Sequence, residues 1–203
     1  MPEGSVRQKN KLLILNAAKK EFVNYGFKGA SIKRIAERAE IPRANIHYYF
    51  KNKTVLYQQL LNEIIDIWNT HFDTFKVDDD PKTALTAYIR SKVIYSRDEP
   101  DASRIFASEI IHGAPVLGTY LSKDFKVWIN QKVSVIQAWI EKGLIDDINP
   151  YHLLFLIWSS TQHYADFNVQ VLAALDKPKM NDQDFESVVD SLTWIILKGC
   201  GIR

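Results

Sequence analysis

The stretch Ser31-Ile-Lys-Arg-Ile-Ala-Glu-Arg-Ala-Glu-Ile-Pro-Arg-Ala-Asn-Ile-His-Tyr-Tyr-Phe-Lys-Asn-Lys53 constrains this chain more than any other part of it. Ile32, Ile35, Ala36 and Ala39 recur at i, i+3, i+4 and i+7, the spacing of one buried helical face. Ser31 stands before them as an expected N-cap, its hydroxyl able to accept from a free backbone N–H. Ile41-Pro42 ends the pattern, because a residue before proline is pushed out of the helical region. A second short segment, Arg43 to Phe50, is expected to expose Arg43, Asn45, His47, Tyr48 and Tyr49 and to turn Ala44, Ile46 and Phe50 inward. Two short helices across a tight turn, the second rich in hydrogen-bonding and aromatic groups, make a helix-turn-helix pattern and imply contact with DNA.

Charge is distributed to match. The formal net charge is only +2, yet residues 1–62 hold 12 Lys/Arg against 4 Asp/Glu, and residues 63–203 hold 14 against 20. Counterion release rewards a basic surface on a phosphate backbone, and the basic excess lies on the piece carrying the motif.

The remaining sequence reads as helical throughout. Leu15, Ala18, Phe22 and Tyr25 mark a first helix from about Val6 to Tyr25, ended by Gly26. Asn52 is an expected cap for a long fourth helix reaching about Phe75. Further breaks are expected at Asp80-Pro81, Asp98-Glu99-Pro100, Gly113-Ala114-Pro115, Asn149-Pro150 and Lys177-Pro178. The expected fold is all-α with about nine helices. A three-helix DNA-binding domain over residues 1–52 would precede a helical ligand-binding and dimerisation domain over 53–203. No apolar run approaches the ~20 residues of a membrane span, and no secretory leader is visible. One cysteine, Cys200, cannot form an internal disulfide, which suits a cytoplasmic location. Scattered histidines lack ligand spacing, so neither a metal nor a cofactor is expected.

The first 60 or so residues resemble the DNA-binding domain of the TetR family of repressors. The likeness rests on Gly26-Phe27, Ser31-Ile32-Lys33-Arg34-Ile35-Ala36, Tyr48-Tyr49-Phe50 and Lys51-Asn52-Lys53, spaced through four helices without a gap. Ala30 stands where many members have threonine, and His47 where many have tyrosine. Phe106-Ala107-Ser108-Glu109-Ile110-Ile111-His112-Gly113-Ala114-Pro115 and Trp158-Ser159-Ser160-Thr161-Gln162-His163-Tyr164-Ala165-Asp166-Phe167 resemble the pyrimidine-utilisation branch of that family, which implies sensing of uracil or thymine. The resemblance also implies that Ser31, Lys33 and Lys53 touch phosphates. Position within the second helix makes Arg43 a bidentate reader of guanine and Asn45 a reader of adenine or a phosphate contact. Tyr48 and Tyr49 are each expected either to reach phosphates or to pack inward.

A second site is expected in the C-terminal part. Trp158 and Gln162 are four apart and share one helical face. A ring to stack on and an amide that donates and accepts suit a flat heterocycle, with Trp68 closing the other side. Other readings stay open: a DNA-binding protein controlled by a protein partner or by DNA itself, or a sensor of an unrelated apolar or aromatic metabolite. An enzyme using Ser159, Ser160, His163 and Asp166 is disfavoured, because they crowd one helix without an oxyanion-hole sequence; His163 and Asp166 are expected to form a local pair. Expected helices from about Tyr151 to Leu175 and Asp184 to Lys198 are apolar on more than one face. Phe155, Val169, Leu172, Phe185, Val189, Leu192 and Ile196 are the expected homodimer interface, which would place two reading helices on a pseudo-palindromic duplex operator.

Overall fold

The computed structural model describes residues 3–72 and 76–202, with side chains described for 6–68 and 76–202. Among the described residues there are eleven helices: α1 (Glu3–Gly29), α2 (Ile32–Ala39), α3 (Arg43–Tyr49), α4 (Lys53–Phe72), α5 (Pro81–Asp98), α6 (Pro100–Ile111), α7 (Gly118–Ser122), α8 (Asp124–Glu141), α9 (Pro150–Asp166), α10 (Asn168–Leu175) and α11 (Asp182–Gly199). The all-α expectation holds. Two of the extra helices come from the short α7 and from a break at Phe167, whose ψ of 28° divides what the sequence suggested was one helix into α9 and α10. The expected end of the fourth helix, Phe75, lies outside the described residues.

Local caps explain most boundaries. The Asn52 carboxamide accepts from the Val55 N–H at 2.9 Å, opening α4. Asp80 accepts from Thr83 N–H with Pro81 at the first position of α5, and Asn149 with Pro150 repeats the arrangement at α9. Asn181 and Asp184 cap each other's backbone at the start of α11. Gly26, at φ 63°, kinks α1 after Tyr25, a backbone conformation that a side chain at Cβ resists.

The chain divides into two compact units, Met1–Ile67 with Arg104–Thr119 and Trp68–Ser103 with Tyr120–Arg203. In the first unit Tyr57 of α4 packs on Phe22 and Phe27 at 4.7 and 5.0 Å between ring centroids, which binds α4 to α1. The Glu109 carboxylate also acts electrostatically on the Tyr57 hydroxyl. Glu109 Oε1 in turn accepts from the Val116 and Leu117 N–H groups at 2.6 and 3.0 Å, which attaches the segment around α6 to this unit. In the second unit α5 packs against α9 and α11, around Leu85, Ile89, Val93, Ile136, Trp139, Leu154, Ile157 and Val189.

One buried charge organises the first unit. Glu21 of α1 is 0% exposed. Its Oε1 accepts from the Ser31 backbone N–H at 3.0 Å and from Arg34 Nε at 2.6 Å. The Ser31 hydroxyl makes no capping bond, contrary to expectation; the Glu21 carboxylate meets the start of α2 in its place. Arg34 also donates to the Gly29 carbonyl at 2.6 Å and lies over the Tyr25 ring at 4.3 Å. Arg34 is itself exposed, but removing it leaves the buried Glu21 carboxylate without its cation. Arg34→Ala is therefore expected to lower the urea-unfolding midpoint; an unchanged midpoint would show that the carboxylate is met in some other way.

Candidate nucleic-acid interface and effector site

The turn between α2 and α3 is set by Glu40, left-handed at φ 55°, whose N–H returns to the carbonyls of Ala36 and Glu37. The Ile41 N–H donates to the Ala36 carbonyl at 3.1 Å, and Pro42 then opens α3. Ile46 and Phe50 are buried and hold α3 to the unit. Arg43, Asn45, His47 and Tyr48 project outward, Tyr48 being 71% exposed. Ala44 is exposed too, not inward as expected, because two residues at 100° each put it on the side away from Ile46. Tyr49 is half-buried and its hydroxyl accepts from Asn10 Nδ2 at 3.3 Å.

The expected phosphate contacts are placed unequally. Lys33 is exposed on α2, 3.8 Å from Glu37. Ser31 is half-buried beside Glu21. Lys53 departs from expectation: its ammonium donates to the carbonyls of Lys28 and Ala30 at 3.2 and 3.0 Å and sits 4.9 Å from the centre of the Phe27 ring. The kink at Gly26 directs backbone carbonyls toward this point, and a long cation at the start of α4 meets them. In this structure Lys53 clamps the domain instead of reaching outward.

In the second unit the α5 positions Tyr88, Lys92 and Tyr95 share one face at i, i+4 and i+7. Both predicted tryptophans lie against it. Trp158 of α9 donates its indole N–H to the Tyr88 hydroxyl at 2.7 Å. Trp68 packs edge-on to Tyr95 at 6.0 Å, and the Lys92 ammonium lies 4.6 Å from the Trp68 ring centre. Trp158 also stacks on Trp128 at 6.1 Å and touches Phe125 and Phe155. The Trp128 indole N–H is buried and has no hydrogen-bond partner among the described residues. Gln162, one turn beyond Trp158, is half-buried. A further turn on, Asp166 accepts from Ser103 Oγ at 2.6 Å and acts electrostatically on Lys92. His163 stacks on Phe167 at 5.1 Å, so the expected local pair with Asp166 gives way to these two separate contacts.

Lys92 is the site residue that sequence reading missed. It is 4% exposed, and burial pulls its ammonium down to about 7, opposed by the Asp166 charge. The clue was its place in a stripe that is otherwise uncharged, Leu85, Tyr88, Ile89, Val93 and Ser96.

These two sites can be set beside known proteins. Residues 14–60 match the family described as bacterial regulatory proteins, tetR family, and residues 61–203 match the YcdC-like protein C-terminal region. The chain is 41% identical to the HTH-type transcriptional regulator RutR of Escherichia coli K12 over 189 residues, 93% of this chain and 89% of RutR. The chain belongs to the TetR family. It is a DNA-binding transcriptional regulator. The HTH-type transcriptional repressor NicS of Pseudomonas putida is 29% identical over 90% of this chain and 86% of its own length. AibR, solved in complex with isovaleryl coenzyme A and operator DNA, shares the fold at a TM-score of 0.74 and 16% identity, covering 92% of this chain and 97% of that one. The tetR match begins at residue 14, so the first turns of α1 lie ahead of it.

In this TetR-family chain the residues expected at a dimer interface differ in burial within the single chain. Phe185, Val189 and Ile196 are buried in the core of the second unit, because the inward stripe of α11 already faces α5 and α9. Leu172 and Leu192 are half-buried, Phe155 is exposed, and Val169 is 83% exposed. The outward apolar residues of α11 are Trp194 and Ile195, which were not among the expected interface residues.

Burial of Lys92 has a measurable consequence. An unfolded lysine titrates near 10.4, so between about 7 and 10.4 the unfolded chain holds a proton that the folded chain lacks, and stability rises with pH. The contribution is complete above 10.4 and lost by pH 7. Urea melts of wild type and Lys92→Met at pH 7 and pH 9.5 should show the difference moving in favour of the wild type by about 1–3 kcal/mol. An unchanged difference would place the ammonium in a wetter site than the structure gives it.

Proposed function

We propose that this regulator is a cytoplasmic repressor that binds a pseudo-palindromic operator as a homodimer and answers to a small planar heterocycle of the uracil or thymine kind. The observation that carries this reading is the α5–α9 cluster. Trp68 and Trp158 provide aromatic faces, Gln162 an amide, Lys92 a cation and Trp128 a buried N–H lacking an acceptor among the described residues. A pyrimidine with alternating C=O and N–H groups offers acceptors to the donors and a donor to the amide oxygen. The likeness to RutR and to the pyrimidine-utilisation branch points the same way. Arg43, Asn45, His47 and Tyr48 would read or hold the major groove, with Lys33 on a phosphate.

A ligand bound only by the native state raises stability by mass action, about 2.7 kcal/mol at a hundred times Kd. Uracil or thymine at that excess is expected to raise Tm by about 5–10 °C, and purine bases to leave it unchanged. Gln162→Leu should abolish the rise and the effect of the base on operator binding, with affinity for operator alone unaltered. The same shift in the variant would put the ligand elsewhere.

The exposed apolar residues Phe155, Leu156 and Val169 with Trp194 and Ile195 support the dimer, since a monomer gains nothing by presenting them to water. Val169→Glu with Trp194→Glu should give a monomer in light scattering with greatly weakened operator binding; a dimer in the double variant would exclude this face.

A further inference from the structure

The inward stripe of α1 changes character along its length. From Phe22 back through Ala18, Leu15 and Ile14 it is buried and, apart from Glu21, apolar. Continued toward the start of the helix at the same three- and four-residue spacing, it becomes Lys11, Asn10 and Arg7. An inward stripe that turns basic faces something other than an apolar core. What it meets is the tyrosine end of α3: Asn10 Nδ2 donates to the Tyr49 hydroxyl at 3.3 Å, and the Arg7 guanidinium lies 5.9 Å from the centre of the exposed Tyr48 ring.

We infer that Arg7 and Lys11 of α1, with Asn10 holding Tyr49, extend the DNA-binding surface beyond the helix-turn-helix and grip backbone phosphates flanking the stretch that α3 reads. The inference rests on the DNA-binding role of α3. In a helix-turn-helix the start of the reading helix meets base edges, while its other end lies toward the sugar–phosphate backbone. Tyr48 and Tyr49 close that other end, so a cation stacked beside them continues an interface already in place. The Tyr49 hydroxyl accepts from Asn10 and so keeps its own proton to donate to a phosphate oxygen. Residues that touch only phosphates carry no sequence preference, and each contact adds to the salt dependence. These turns lie ahead of the stretch that matches the tetR family.

The test uses the full-length protein and two duplexes of roughly 30 base pairs, one selected by the wild type from a random pool and one of random sequence. Arg7→Gln with Lys11→Met keeps the side-chain stems and removes both charges. The double variant is expected to bind both duplexes about tenfold more weakly at ~0.1 M salt, and to flatten the plot of log K against log salt by about 2 for each subunit bound. Arg7→Lys with Lys11→Arg should restore the wild-type slope. Lys9, on the opposite side of α1, serves as the control, and Lys9→Gln should leave the slope nearly unchanged. Wild-type affinity and slope in the double variant, or equal flattening by Lys9→Gln, would overturn the inference. Arg43→Ala distinguishes this from failure of the broader reading: it should lose preference for the selected duplex whether or not α1 takes part.

Discussion

A carboxylate with no access to water is a heavy liability unless a charge and a donor meet it, and Glu21 is met by both. Its oxygen takes the Ser31 N–H and the Arg34 side chain, so the start of α2 is fixed to α1 by a directional contact as well as by apolar packing. The loop between these helices is gripped along its length. Arg34 holds the Gly29 carbonyl, and Lys53 holds those of Lys28 and Ala30. Three successive carbonyls thus bind cationic side chains from different helices. Because α3 follows α2 through a tight turn, its attitude is inherited from this arrangement.

The second unit treats a buried charge differently. Lys92 lies over an aromatic ring within the field of Asp166, and burial draws it down toward neutrality. A charged hydrogen-bond network at Glu21 gives stiffness. A cation whose proton is held weakly gives a group whose state depends on what approaches it, and such groups collect at binding sites.

Helices, caps and the outward face of the reading helix were legible in the sequence because each depends on residues close in the chain. Asn52, Asp80 and Asn149 act within three positions of themselves, and Ile46 and Phe50 follow from a four-residue spacing. What was not legible depends on partners distant in sequence. Nothing near Glu21 announces Arg34, and Lys53 resembles a surface cation until the kink at Gly26 brings carbonyls beneath it. Apolar excess on α11 was visible, but which residues face inward is decided by where α5 and α9 lie: Phe185, Val189 and Ile196 went to the core and Trp194 to the surface. Trp68 and Trp158 could be chosen by type, whereas their meeting along one face of α5 required the fold.

The brevity of α3 has an evolutionary consequence. In a helix of seven residues, only Ile46 is buried, with Phe50 just beyond it, and the other positions are exposed or half-exposed. Substitutions at exposed positions away from such anchors usually change stability by less than about 0.5 kcal/mol. The lettering of the proposed reading surface is therefore nearly independent of the machinery that holds it, and on that proposal a duplicated copy could drift to a new operator through Arg43, Asn45 or His47 without first acquiring a more stable scaffold.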